Sequence, residues 1–157
     1  MSMIREIKGL VFNSDDIISF ISNRQYEDET KFNVKGYDIS ILTKYGKHSD
    51  FTKAGSVAQK ILGKFEGIPW VWRREDSIAV NLLYVDYIKH SYDESDGSGE
   101  FQVSFFLNKG KFDEEKISYS EDGIARTKDE IILSLFTAYE ASITEKKRIS
   151  ALTITPA

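Results

Sequence analysis

From Ile4 to Phe12 an alternating backbone puts Ile4, Glu6 and Lys8 on one side and Arg5, Ile7, Gly9 and Val11 on the other, and the segment reads as a short strand. Asn13 and Ser14 then offer helix caps, and Asp15 and Asp16 suit the positive end of a helix dipole. Ile17, Ile18 and Ile21 follow at helical spacing, so a short helix is expected to about Arg24. Residues 25–30 are polar and acidic and are expected to form a loop. Alternation resumes over Phe32 to Thr43, with Val34, Tyr37, Ile39 and Ile41 inward. Its phase slips around Gly36, where a bulge is expected.

The clearest helical stripe joins Phe51, Ala54, Ala58, Ile61, Leu62 and Phe65, with Lys53, Gln59, Lys60 and Lys64 opposite. Three strands follow: Ile68 to Arg74, Ile78 to Lys89, and a segment alternating through Phe101, Val103, Phe105 and Leu107. Asn108-Lys109-Gly110 signals a turn, and Lys116 to Tyr119 a weaker strand. Thr127-Lys128-Asp129-Glu130 has the capping-box pattern, ahead of a stripe of Ile131, Ile132, Leu135, Phe136 and Tyr139. A last strand is expected from Arg148 to Thr155. Strands that follow one another without helices pair antiparallel. The expected fold is a single α+β domain over residues 1–157. It has a twisted, mainly antiparallel sheet of five to seven strands, with the two longer helices packed on one face. The expected core is Ile39, Ile41, Val57 or Ala58, Ile61, Leu62, Val80, Leu82, Val103, Phe105, Ile132, Leu135 and Phe136.

Composition narrows the chemistry. The chain has 157 residues, 41% hydrophobic and 29% charged, a globular balance for one domain. It has no cysteine, so it forms no disulfide, thiolate nucleophile or Cys-ligated metal site. Two histidines are too few for a His₃ site. No apolar run reaches membrane-spanning length, and a cytoplasmic location is expected. No glycine-rich phosphate loop and no G-x-S-x-G elbow occurs, and no cofactor is expected.

Charge is uneven along the chain. Residues 31–74 hold nine Lys/Arg against three acids, a net of +6. Residues 86–122 hold ten acids against four lysines, a net of −6. Four candidate sites follow. Residues 93–100 (DESDGSGE) resemble a calcium loop in composition, but aligning Gly97 with its glycine places Tyr92 and Val103 at the outer ligand positions, where carboxylates are needed. His48, expected in a turn, and His90, expected at a strand end beside Lys89, are a candidate acid–base pair for phosphodiester cleavage. Trp70 and Trp72, beside Arg73 and Arg74, are a candidate stacking platform for single-stranded nucleic acid; the competing expectation is that both fill the core. Two acidic clusters, Asp93, Glu94, Asp96 and Glu100, then Asp113, Glu114 and Glu115, are candidate patches for a basic protein. If the intervening strands form a hairpin, these clusters lie at its opposite ends.

By elimination, recognition is expected rather than catalysis. The leading expectation is a small acidic inhibitor of immunity or antitoxin type, which covers the active site of a basic enzyme such as a nuclease toxin. No membrane partner is expected. The alternatives are a nucleic-acid-binding module built on the basic 31–74 segment, and a small His-dependent nuclease.

Overall fold

A computed structural model describes residues 3–153. The chain is α+β, and every strand pairing among the described residues is antiparallel. It divides into two compact units, Met1–Asn81 and Leu82–Ala157. Among the described residues the expected single sheet is replaced by sheets of two, three and five strands, and each unit carries one of two α-helices.

In the first unit, β1 (Met3–Ile4) pairs with β2 (Phe12–Asn13). The five-stranded sheet comprises β3 (Ile17–Tyr26), β4 (Val34–Thr43), β5 (Gly46–Thr52), β6 (Val71–Arg74) and β7 (Ile78–Asn81), in the order β5-β4-β3-β7-β6. The segment expected to be a helix, Ile17 to Arg24, is thus the central strand. Asn13 does accept a hydrogen bond from the Asp15 N–H, but it caps only the 3-10 turn Ser14–Asp16. The β-branched Ile17, Ile18 and Ile21 favour the extended backbone that follows. Pairing on both sides, with β4 and β7, then satisfies that backbone. The bulge expected near Gly36 is present: the β3–β4 register slips between Gln25↔Gly36 and Tyr26↔Val34.

Helix α1 spans Ser56–Gly63, shorter than its stripe, because residues up to Thr52 pair with β4 as a strand. Ala58, Ile61, Leu62 and the following Phe65 join Ile17, Phe20, Ile39, Ile41, Val71 and Ala79 of the sheet in one core cluster. Each large side chain so buried contributes about 1.5–3 kcal/mol.

The second unit holds β8 (Val85–Asp93), β9 (Glu100–Leu107), β10 (Lys116–Asp122) and α2 (Lys128–Thr153). The sheet order is β10-β9-β8. The stretch expected as one strand, Ile78 to Lys89, is interrupted by a 3-10 turn at Leu82–Tyr84. Phe101, Val103, Phe105 and Leu107 are buried on one face of β9. Helix α2 starts directly after Thr127, as the capping pattern predicts, and continues into the segment expected to be the final strand. Residues 148–153 are helical; Ile154 and Thr155 lie outside the described residues. α2 runs along β8 in the opposite direction. Lys128 Nζ sits 4.5 Å from the Tyr92 ring centre, and Phe136 meets the His90 ring at 5.8 Å. Tyr139 donates to the Asp86 carbonyl and Lys146 to the Val85 carbonyl.

Of the expected core, Phe136 is a correction: it is 51% exposed, and Ile132 is half-buried. The buried seam of α2 is Ile131, Leu135, Ala138, Ser142 and Glu145, which turns Phe136 to the flank. Among the described residues no helix is long and apolar enough to cross a membrane.

Candidate interaction surface

Strand alternation gives the three-stranded sheet two unlike faces. Phe101, Val103 and Phe105 of β9 point to the buried one. Their neighbours point outward, and the register aligns them in rows across the sheet. The rows are Tyr87–Phe106–Lys116, Lys89–Ser104–Ser118, Ser91–Gln102–Ser120 and Asp93–Glu100–Asp122. The outer face is therefore aromatic and basic at one end, hydroxylic in the middle and acidic at the other.

The acidic end holds the first predicted cluster. Asp93 closes β8, Glu100 opens β9, and Glu94 and Asp96 lie in the loop between them. Asp122, which sequence reasoning did not single out, completes the row from β10. Like charges on adjacent strands repel, so the row is held at some cost in stability. Local hydrogen bonds brace it. Asp93 accepts from the Ser95 N–H at 2.9 Å, and Glu94 from the Tyr92 hydroxyl at 2.8 Å. Asp96 accepts from the Ser98 N–H and hydroxyl, and Glu100 from the Gln102 amide. The bonds from Ser98 hold the Asp96 carboxyl below its ordinary pKa. Among the described residues no group of three or more His, Asp or Glu is arranged to hold a metal ion.

The second cluster lies at the other end of β9, about 25 Å away by strand rise. Asp113, Glu114 and Glu115 border a cleft of about 460 Å³, together with Asp86, Tyr87, Phe106 and Phe112. Tyr87 and Phe106 stack at 4.4 Å with their planes 3° apart, and Lys89 and Lys116 each approach the Phe106 ring within 6 Å. Phe112 is set edge-on to Tyr84 at 5.9 Å. Asp86 fixes the turn at the head of the cleft, accepting from the Asn108 amide at 2.8 Å and the Lys109 N–H at 3.0 Å. Those two bonds, with Lys146 and Lys111 nearby, lower its pKa against a small opposing effect of burial. The two acidic clusters are thus not brought together; they bracket one exposed face.

None of the seven predicted carboxylates forms an ion pair with a residue among those described. The basic segment differs. Lys44 pairs with Asp16, Lys64 with Glu6 and Arg74 with Glu75, all acids outside residues 31–74. The Glu6 carboxyl is lowered in pKa: burial pushes it up, and backbone hydrogen bonds and Lys64 outweigh that push.

The tryptophan platform does not form. Trp72 is 1% exposed within β6. Trp70 precedes the strand and packs, half-buried, against the α1 core cluster. Val71 belongs to that cluster, so alternation turns Trp72 to the opposite face of the sheet. The histidines are not placed as expected either. His48 lies within β5, stacked on Phe12, and His90 lies within β8 between Phe101 and Phe136. The first belongs to one unit and the second to the other.

No protein-family model, curated protein or solved structure matches this chain.

Proposed function

We propose that this chain is an acidic protein-binding inhibitor of immunity or antitoxin type, acting on a basic enzyme by covering its active site. The supporting observation is that Asp93, Glu94, Asp96, Glu100, Asp113, Glu114 and Glu115 form no ion pair among the described residues. At 93–100 the carboxylates are also held in place by neighbouring donors. Fixed, uncompensated charge steers an oppositely charged partner and loses little entropy on contact. The stacked Tyr87 and Phe106 supply an aromatic anchor beside the second cluster. A lysine or arginine of the partner meets the carboxylates that border the cleft.

A second reading, a nucleic-acid-binding module, has the Tyr87–Phe106 pair with Lys89 and Lys116 in its favour. Saturable oligonucleotide binding that weakens steeply with salt would select it over the first.

Affinity capture from the host tests the inhibitor. The native chain is compared with the reversals D93K/E94K/D96K and D113K/E114K/E115K. The expected result is a basic enzyme that the native chain captures and inhibits and that either reversal releases. Capture that survives both reversals, capture of an acidic partner, or no capture would overturn the reading.

A further inference from the structure

We propose that the outer edge of β10 binds a second copy of this chain, strand β10 against strand β10, so that two three-stranded sheets join antiparallel about a two-fold axis. The inference goes beyond the inhibitor reading and does not rest on it, because Lys116 and Asp122, which set its register, are not among the seven predicted carboxylates.

The edge is open and regular. β10 borders its sheet and pairs with β9 alone. Its seven residues run without a register shift and include no proline, so two common devices that blunt an edge strand are missing. The other border, β8, is partly closed: its Val85 and Asp86 carbonyls accept from Lys146 and Tyr139 of α2.

Register decides which backbone groups face outward. The Leu107 N–H donates to the Glu115 carbonyl at 2.9 Å, just ahead of the pair Phe106↔Lys116. Hydrogen-bonded and non-bonded pairs alternate along an antiparallel ladder. Ile117, Tyr119 and Glu121 therefore turn their N–H and C=O groups to β9. Lys116, Ser118, Ser120 and Asp122 turn theirs to the edge, and all four are exposed. Among the described residues these outward groups meet no other backbone group.

Outward groups must meet outward groups, so these four residues pair with their own kind. Centred on Tyr119, the pairing takes in all seven residues of β10. It sets Lys116 opposite the partner's Asp122 and Ser118 opposite the partner's Ser120, and the two-fold axis repeats both contacts. Opposite charges directly across a strand pair stabilise it. Neighbouring registers lose this match. Centring on Ser118 sets Asp122 against the partner's Glu114, and centring on Ser120 sets Lys116 against the partner's Ile124. The complementarity extends across the outer face. The Tyr87–Phe106–Lys116 row runs on into the partner's acidic row, and a lysine there offsets the repulsion within it.

Sedimentation equilibrium of the full chain over a range of concentrations tests this. A reversible monomer–dimer equilibrium is expected. Lys116→Glu and Asp122→Lys each set like charges opposite at both ends of the pairing and should weaken the dimer about tenfold or more. The double variant K116E/D122K makes the charges opposite again and should recover most of that loss. Ser118→Pro removes an outward N–H while sparing the bonds to β9, and should also weaken the dimer. Circular dichroism matching the native chain certifies that each variant folds, and the charge swap carries the decision. A chain that stays monomeric at every concentration, a dimer that either single reversal leaves unchanged, or one that the double variant fails to recover would overturn the proposal.

Discussion

Gly36 is fixed by what lies against it. A Cβ there would sit 2.3 Å from the Phe51 ring and 2.8 Å from the Thr52 carbonyl oxygen. The ring can swing away, but the carbonyl belongs to a paired strand. Gly36→Ala is therefore expected to destabilise the chain by about 2 kcal/mol, readable as a lower denaturation midpoint with an unchanged slope. Asp86 is the second residue with a measurable signature. Hydrogen bonds from Asn108 and Lys109 depress its pKa, so the stability they lend is complete above about pH 4 and disappears as pH falls through the lower folded value. Asp86→Ala should cost about 0.5 kcal/mol at neutral pH, small because water screens the site. The deficit should close in acid, as denaturation at two pH values would show. At this scale the sequence was partly informative. The seven acids were visible because exposed charge needs no tertiary knowledge. Asp122 was not, since its place in the row depends on which strand lies beside β9.

Elements were legible where local pattern and tertiary pairing agree. β4, β9, the Asn108-Lys109-Gly110 turn and the start of α2 all follow their sequence signals. β3 was misread because isoleucines at positions 17, 18 and 21 satisfy helical spacing and strand preference equally, and two neighbouring strands decide between them. The end of α2 was misread for a different reason. Residues 140–153 contain no glycine or proline, so nothing stops a helix already nucleated and anchored along β8. Lys147→Pro discriminates the two readings. In a helix it removes a backbone hydrogen bond and clashes with the preceding turn, at about 3 kcal/mol, with a loss of ellipticity at 222 nm. In a loop before a strand it would be nearly silent. The uneven faces of β8–β10 show why the candidate site was only half visible. The acids stood out in sequence, but the rows that join them to Tyr87 and Phe106 exist only through register.

For the molecule as a whole, the charge asymmetry seen along the chain survives folding in a modified form. Among the described residues the seven predicted carboxylates form no ion pair, while acids from elsewhere neutralise part of the basic half. Reversing Asp93, Glu94 and Asp96 together should slow association with a basic partner about tenfold at low salt, and the difference should shrink as ionic strength rises. Stability should change by less than about 0.5 kcal/mol, since these side chains are exposed. Stopped-flow association across a salt series checks both the size and the trend. One further consequence comes from where the indoles fall. Both tryptophans, Trp70 and Trp72, belong to the unit Met1–Asn81, whereas the longer helix belongs to the other. Fluorescence excited at the red edge therefore reports on one half of the polypeptide, and far-ultraviolet dichroism is dominated by the other. Two optical traces from one unlabelled cuvette follow the halves separately through a melt, and superimposed traces would mark a single cooperative transition.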